Sequence, residues 1–433
     1  MTKKYLLNTV KLTAVFAITL FLLWSLLYLS ALIPNELIRE NMEKSALSYK
    51  DRDAFEYSGS DRLNSVADHY SDSIWLNISW NMGKGDSLSA SVLTNYYDGG
   101  ELGENAGLYY TVFDGINPNT DYTRYWHGTA GIIRVLHLFT DVDGIKAIGF
   151  CTFILFALLS LFAISIKHPD IALILAVSLV LVQIWNIRLS MEYQPAFIIA
   201  FALIPFFLLL ERYGNKYLVL LSVISGTVIA FFDFLTTETV TLLLPIALVV
   251  AIRAKENRLG KVKESLPLLI KCACSWICSY VGAFIAKWTV VSIVSGTNAF
   301  EAALSSAAKR IGGATDASVE KPGSFLSSVS ANISTLFGGR MRLEPGRALL
   351  GIILTALILL SLLYLFKSKK NKSFAALLLL GIGSTVLIRY SVLYNHSYIH
   401  CFFTYRALVT VVFSLLSAVW LNIEPFEKKR RRG

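Results

Sequence analysis

The chain has 433 residues, 55% of them hydrophobic and only 16% charged, and its mean hydropathy is +0.55. An ordinary soluble domain carries about 25% charged residues, so this composition excludes a water-soluble globular protein. The formal net charge of +10 does not indicate nucleic-acid binding, because lysine and arginine crowd into the segments between hydrophobic runs, at 253–263, 367–372 and 428–432. Such segments are typical of the cytoplasmic connectors of membrane proteins.

Hydrophobic runs long enough for a helix to cross about 30 Å of hydrocarbon recur along the chain. The first follows a short basic start and is too long for a cleaved signal peptide, so we expect a retained signal anchor. We predict an all-α integral membrane protein with about ten transmembrane helices. The predicted spans lie at about 10–33, 145–166, 171–185, 196–210, 217–232, 240–252, 268–294, 349–366, 374–387 and 407–421.

The distribution of positive charge predicts the orientation of these spans. With the N-terminus in the cytoplasm, both termini and every strongly basic connector fall on the cytoplasmic side. The basic tail can also contact anionic lipid headgroups. The chain then divides into the N-terminus with the first span (1–33), a first extracytoplasmic loop (34–143), six spans (144–294), a second extracytoplasmic loop (295–345), three spans (346–422) and the tail (423–433).

The first extracytoplasmic loop is too long to be a simple connector, so we expect it to fold on its own or against the membrane. Within it, residues 129–139 place apolar side chains at helical spacing, interrupted by Arg134 and His137. This pattern predicts an amphipathic helix lying in the membrane interface. The five cysteines predict neither disulfides nor a metal site, because four of them lie inside apolar runs and metal-ligand partners are missing around them.

The first candidate residues are Asp68 and Asp72, in the sequence VADHYSDSIWLNISW of the first loop. The spacing of Ile74, Trp75 and Ile78 predicts a short helix that begins near Asp72. An aspartate at that position suits two interpretations, the N-cap of the helix or a general base directed into a cavity.

The second group lies in DYTRYWHGTAGIIR, where Arg124, Tyr125 and His127 directly precede the interfacial helix. One interpretation is an aromatic belt with a snorkelling arginine. The other is a binding site for a phosphate or a sugar, because arginine offers paired donors and aromatic rings stack on sugar faces.

Three acids form the third group, because they close apolar runs at the outer face. They are Glu192 in SMEYQP and Asp233 and Glu238 in FFDFLTTET. Solvated helix ends would account for them. The alternatives are contacts with a polar substrate or oxygen ligation of a divalent cation.

The fourth group is RYSVLYNHSYIHCFFTYRAL, which contains Arg389, His396, His400 and Arg406. The two histidines would share one face of a helix, but the glutamate of an HExxH zinc motif is absent. Two histidines and two arginines at a lipid boundary suit a pyrophosphate better. Neither a Gly-rich phosphate loop nor a GxSxG elbow occurs, so we expect no nucleotide cofactor.

The layout of the chain resembles the GT-C superfamily of membrane glycosyltransferases. One span is followed by a long acidic and aromatic loop with an interfacial helix, and then by many further spans. The phrases YTRYWHG, FFDFLTTETVTLLLPI and YNHSYIHCFFTYR also resemble multi-pass proteins of Gram-positive bacteria that accompany cell-surface polysaccharide genes. The resemblance implies a bacterial plasma-membrane enzyme that moves a sugar from a polyprenyl phosphate or pyrophosphate donor to a cell-envelope glycan or lipid acceptor on the extracytoplasmic face. It also implies an acid of the first loop as base, with Asp72 as first choice and Asp68 as second.

The chain departs from two branches of that superfamily. It lacks the WWDYG-like signature of oligosaccharyltransferases, so peptide N-glycosylation is not expected. Glu36 and Glu40 follow the first span without the adjacent aspartate that is typical of protein O-mannosyltransferases.

Inverting sugar transfer needs a carboxylate to take the acceptor proton and cations to hold the departing phosphate, and Arg124, Arg389 and Arg406 are the expected cations. The main alternative is a flippase or exporter of a lipid-linked precursor, which would spread ionisable residues through the depth of the bundle and show a repeat of spans. A Wzy-type polymerase would carry its largest outer loop late in the chain. A non-catalytic membrane scaffold would tolerate loss of every acid named above.

Overall fold

The computed structural model of the protein describes residues 2–58, 62–311, 324–339 and 373–422. The predicted span at 349–366, the basic tail and much of the second loop lie outside these residues. The described helices are α1 (Thr2–Ala31), α2 (Asn35–Tyr49), α3 (His69–Asn81), α4 (Ser87–Leu93), α5 (Gly103–Phe113), α6 (Gly128–Leu136), α7 (Val142–Ser165), α8 (Pro169–Leu181), α9 (Pro195–Leu210), α10 (Asn215–Phe232), α11 (Val240–Lys255), α12 (Val262–Ser295), α13 (Ala299–Ile311), α14 (Phe325–Leu336), α15 (Ser373–Val392), α16 (Tyr394–Ile399), α17 (Cys401–Thr404) and α18 (Leu408–Asn422). The described strands are β1 (Phe55–Tyr57), β2 (Val66–Asp68), β3 (Asn95–Tyr96) and β4 (Thr120–Asp121).

In the described part of the chain, seven helical segments are long and apolar enough to cross a membrane, as a multi-pass membrane protein requires. They are Asn8–Ala31, Val142–Ser165, Met191–Tyr213, Asn215–Phe232, Val262–Ser295, Phe374–Val392 and Cys401–Asn422. The predicted third and sixth spans correspond to α8 and α11, which have 13 and 16 residues. At 1.5 Å per residue they rise only about 20 and 24 Å, less than the hydrocarbon thickness.

Helix α11 lies at the centre of the bundle, where α9, α15 and α18 pack around it. Nearly all of its side chains from Val240 to Ala254 are buried, because neighbouring helices surround it. Helix α7 differs, because Leu155, Leu158 and Phe162 leave more than half of their surface exposed. Such a surface on a spanning helix is one that lipid would cover.

Residues 34–143, which we call the loop domain, contain helices α2 to α6, a first hairpin formed by β1 and β2, and an antiparallel pairing of β3 with β4 across α5. In the first hairpin Phe55 lies opposite Asp68, and in the second strand pair Asn95 lies opposite Asp121. Helix α3 forms the centre of the domain and contacts α2, α5 and α6. The expectation that this long segment folds against the membrane bundle is consistent with the contacts of α6 with α1 and of α2 with α7.

The predicted interfacial helix corresponds to α6, but Arg134 and His137 are buried and do not form a polar face. The Arg134 guanidinium donates hydrogen bonds to the carbonyl oxygens of Ser30 at 3.1 Å, Ser79 at 2.6 Å and Ile33. The Ser30 carbonyl lies in the last turn of α1, and Ile33 lies two residues beyond that helix. Arg134 therefore fastens α6 and α3 to the end of the first spanning helix.

We expect Arg134→Met to lower the free energy of unfolding by about 3 kcal/mol, because several buried carbonyl groups would lose their donor. Thermal and denaturant unfolding in detergent would measure the change. Lys44→Met is the matched control, since Lys44 pairs with Glu40 in solvent on α2 and its loss should change little. A similar stability of the two variants would contradict the assigned role of Arg134.

Candidate functional site

Asp72 joins the loop domain to the helical bundle. Its Oδ1 accepts hydrogen bonds from the Ser190 hydroxyl at 2.8 Å and the Met191 backbone N–H at 2.9 Å. Its Oδ2 accepts a hydrogen bond from the Tyr49 hydroxyl at 2.9 Å. The side chain is fully buried, and this burial raises the pKa of Asp72 while the positive charge of Lys146 opposes the rise.

The N-cap of α3 is Asp68 and not Asp72. The Asp68 Oδ1 accepts a hydrogen bond from the Ser71 backbone N–H at 2.8 Å, which places Asp72 in the first turn of the helix. The N-cap interpretation of Asp72 is therefore wrong, because the helix begins one turn earlier than its apolar spacing indicates.

Asp68 and Glu192 form a buried carboxyl pair. The two groups lie close enough to interact, and burial favours one shared proton over two adjacent charges. Burial raises the pKa of Asp68 to about 7, and the neighbouring charge of Asp72 adds to the rise. The second oxygen of Glu192, Oε2, is buried without a hydrogen-bond partner.

Asp233 and Glu238 are also buried, so solvated helix ends do not explain the third candidate group. The Asp233 carboxylate accepts hydrogen bonds from the Thr236 hydroxyl and from its backbone N–H, the latter at 2.8 Å. Burial raises the pKa of Asp233 to about 7, with a further contribution from the charge of Glu238. Glu238 binds Arg389 through two hydrogen bonds of 2.9 and 3.1 Å. The charge of Arg389 is thus matched by an acid and is not free to hold a phosphate.

His396 and His400 share one face, as their spacing predicts, with ring centroids 4.7 Å apart. The His396 Nε2 lies 3.0 Å from the Leu235 carbonyl oxygen, so that nitrogen carries the proton. In the part of the chain that the structure describes, no cluster of three or more His, Cys, Asp or Glu side chains suits a metal ion. His396 thus holds α16 against the segment between α10 and α11, and His400 packs against the rings of His396 and Phe403.

Arg406 is almost fully buried, with its guanidinium 4.4 Å from the centre of the Tyr193 ring. Its Nη1 donates to the Phe402 carbonyl at 3.3 Å, whereas Nε and Nη2 have no hydrogen-bond partner. Ser190 and Tyr193 belong to one short segment, so the segment that holds Asp72 also touches Arg406. The first and fourth candidate groups therefore lie at the same end of the bundle.

The second candidate group packs the loop domain onto the bundle, and its Tyr125 and His127 rings contact Phe234, the residue that follows Asp233. Arg124 donates from Nη1 to the Ser306 hydroxyl at 3.0 Å, and its guanidinium lies 4.7 Å from the Tyr122 ring. Tyr125 and His127 are buried, so an aromatic belt exposed to headgroups is not formed. Burial lowers the pKa of His127 well below its usual value, and the nearby charge of Lys287 adds to this effect.

A cleft of about 610 Å³ opens between the first hairpin, the start of α7 and the segment before Ser190. We call it the cationic cleft because Arg52, Lys146 and Arg188 line it, and sequence reasoning missed all three. Two acids also line the cleft, and they pair with two of these cations: Glu56 with Arg52 at 3.7 Å and Asp143 with Lys146 at 3.0 Å. The Lys146 Nζ donates to the Tyr49 hydroxyl at 3.3 Å, and Tyr49 donates to Asp72. A signal was available, since Lys146 interrupts the start of the second predicted span.

The arrangement sets buried carboxyl groups beside an open cleft with three cationic side chains. Its chemistry fits proton removal from a hydroxyl together with the departure of an anionic group. Comparisons with protein-family models, curated proteins and solved structures found no match for this chain. The function must therefore be inferred from the site itself.

We expect the stability of the wild type to fall as the pH rises from about 4 to 7. In that range an unfolded chain ionises Asp68, whereas the folded protein, with a pKa of about 7, keeps it protonated. The folded state thus binds more protons, so unfolding becomes easier as the pH increases. Asp68→Asn keeps the N-cap and removes this titration, so its melting temperature should depend less on pH.

Melting temperatures measured between pH 4 and 8 test this expectation, with Asp86→Asn as the matched control. Asp86 caps α4 in the same way, but it is exposed and hydrogen bonds from Ser89 lower its pKa. The control should keep the wild-type slope. An Asp68→Asn slope equal to that of the wild type would show that Asp68 ionises normally in the folded protein.

We expect Arg389→Met to destabilise the protein by about 3 to 5 kcal/mol, because Glu238 would remain as a buried, unpaired charge. The double variant Glu238→Leu with Arg389→Met should recover much of that loss, since neither charge then remains. Denaturant unfolding of the two variants measures the difference. A double variant less stable than Arg389→Met would contradict the expectation.

Proposed function

We propose that the protein is a membrane glycosyltransferase that moves a sugar from a polyprenyl-phosphate or pyrophosphate donor to a cell-envelope glycan or lipid acceptor. The observation that carries this proposal is the meeting of Asp68, Asp72 and Glu192 beside the cationic cleft, although they come from two distant parts of the chain. Such a pairing supplies a base and a phosphate site in one place.

The donor phosphate binds in the cationic cleft, where Arg52, Lys146 and Arg188 supply positive charge. Lys146 lies at the first turns of a spanning helix, at the depth where a lipid-linked phosphate would lie. Phe150 lines the same cleft, and Ile154 and Leu158 follow it at helical spacing along the exposed side of α7. The prenyl chain of the donor lies along this apolar row.

Asp72 is the first choice for the base, because hydrogen bonds connect it to the cleft: Lys146 donates to the Tyr49 hydroxyl, and Tyr49 donates to Asp72. An acceptor hydroxyl that replaced the Tyr49 hydroxyl would donate to the same carboxylate oxygen. Asp68 is the second choice, with Glu192 as the partner that shares its proton. No nucleotide takes part, because the sugar arrives on its lipid, and a divalent cation is not required when side chains supply the charge.

The proposal includes ten spans in a bacterial plasma membrane, with both termini in the cytoplasm and the loop domain outside. The basic connector between α11 and α12 then lies in the cytoplasm, in agreement with the positive-inside rule. Cysteines introduced at Lys261 and Glu101 would test this orientation with a membrane-impermeant maleimide. Labelling of intact cells at position 261 but not at position 101 would show that the protein has the opposite orientation.

We expect Asp72→Asn to reduce transfer at least about 100-fold, because a general base typically contributes a factor of that size or more. Purified protein would be incubated with polyprenyl-phosphate sugars and envelope glycan acceptors. Asp68→Asn should have a smaller effect, and Asp86→Asn none. Undiminished transfer by Asp72→Asn would remove Asp72 from the reaction.

We expect Lys146→Met to raise the KM for the donor about tenfold or more, because the phosphate would lose one charged hydrogen-bond donor. Lys44→Met, which removes an exposed lysine of the loop domain, should leave the KM unchanged. An unchanged KM in Lys146→Met would place the phosphate elsewhere.

A flippase for the lipid-linked precursor is a second candidate, favoured by one observation. Thr410, Ser414 and Ser417 lie along one side of α18, and their hydroxyl groups are buried without hydrogen-bond partners. A polar row at membrane depth is typical of transport paths. Movement of the lipid across reconstituted liposomes without any sugar transfer would favour this candidate over the enzyme.

A further inference from the structure

We propose that the aromatic platform formed by Phe55 and Tyr70 binds a pyranose ring of the acceptor glycan beside the acid cluster. This inference rests on the proposed function and names the acceptor surface of the same site. The platform stands on the first hairpin and the first turn of α3, which together carry Asp68.

Both rings are unusually accessible for large aromatic side chains, with 45% of Phe55 and 40% of Tyr70 exposed. They stack with an interplanar angle of 22° and a centroid separation of 6.0 Å. Stacking at this separation is offset, so each ring keeps one face free of the other. The pair thus presents an apolar surface whose contact with water is unfavourable.

The bundle and the loop domain both support the platform. The Phe402 ring packs edge-on against Phe55 at 5.5 Å. The Glu104 carboxyl group lies near the Tyr70 hydroxyl, at the end of the ring that is farthest from the backbone. Contacts with Phe402 and Tyr70 hold the Phe55 ring in place before any ligand binds, which lowers the entropic cost of stacking.

Phe55 lies directly opposite Asp68 in the hairpin, and opposed residues of an antiparallel pair project to the same face. Glu56 and Ala67 are the next opposed pair and line the cationic cleft. Successive residues of a strand alternate between faces. Glu56 and Ala67 therefore project toward the cleft, whereas Phe55 and Asp68 project to the opposite face, which we call the aromatic face. Tyr57, at the end of the strand, also lines the cleft.

A sugar is the ligand that suits this aromatic face. Pyranose rings combine an apolar side of C–H groups, which stacks on aromatic rings, with hydroxyl groups that bond to nearby carboxylates. A protein partner or a lipid tail would need a broader apolar patch, whereas the carboxyl group of Glu104 lies beside the Tyr70 ring.

The first experiment measures binding without any donor. Protein in lipid nanodiscs would be applied to an array of tetrasaccharides of glucose, N-acetylglucosamine, mannose, galactose and rhamnose. We expect Phe55→Ala and Tyr70→Ala each to weaken binding about 2- to 10-fold, the range that an aromatic stacking contact supplies. Phe55→Leu keeps apolar volume without a planar face and should weaken binding equally.

Two controls isolate the ring faces. Tyr70→Phe keeps the ring and loses only the hydroxyl, so it should bind as the wild type does. Phe113→Ala opens the stacked pair that Phe113 forms with Tyr109 on α5, so it tests a similar exposed pair on another helix. Failure of every tetrasaccharide to bind, or equal binding by the wild type and Phe55→Leu, would overturn the inference.

The second experiment measures the KM for the acceptor and the hydrolysis of the donor by water. We expect Phe55→Ala and Tyr70→Ala to raise the KM for the acceptor while donor hydrolysis stays unchanged. Transfer with an unchanged KM in both variants would refute the aromatic platform and leave the proposed function standing. Ring-dependent glycan binding without any transfer would refute the proposed function and leave the platform standing.

Discussion

The three hydrogen bonds of Asp72 are the constraint on which the arrangement of the site depends. One buried carboxylate takes donors from the loop domain and from the segment before α9, 118 and 119 residues further along the chain. A buried carboxylate is stable only when it is well hydrogen-bonded, so the segment Ser190–Met191 cannot shift without exposing an unpaired charge. Glu192 and Tyr193 directly follow this segment. Asp72 therefore also fixes the position of Glu192 beside Asp68 and of the Tyr193 ring beside Arg406.

The arginines show why residue type alone does not identify a ligand site. Three arginines already have structural partners. Arg134 binds carbonyl oxygens at the end of α1, Arg389 binds Glu238, and Arg124 contacts the Tyr122 ring and the Ser306 hydroxyl. Their charge is already matched or committed, so they add little for a ligand. Two cations of the cleft, Arg52 and Lys146, also have acidic partners, but they differ from the buried arginines because they line an open volume.

The membrane architecture could be predicted because it depends on local composition. A run of apolar residues of sufficient length identifies a spanning helix wherever it occurs, and seven such helices lie in the described part of the chain. The polar contacts could not be predicted in the same way. Arg134 in an apolar helix gives the same pattern whether it reaches water or caps the end of α1, and its partner Ser30 lies 104 residues away.

The acids illustrate the same division between local and distant causes. The sequence places Asp68 and Asp72 four residues apart, and their different roles follow only from what the bundle presents to them. Asp72 meets donors, which favour its ionised form, whereas Asp68 meets another carboxyl group, which favours a shared proton. Burial raises the pKa of both acids, so a single turn of α3 holds one acid whose rise is opposed by hydrogen-bond donors and another that lies beside a second carboxyl group. Environments that separate the behaviour of neighbouring acids are typical of sites where protons move during a reaction.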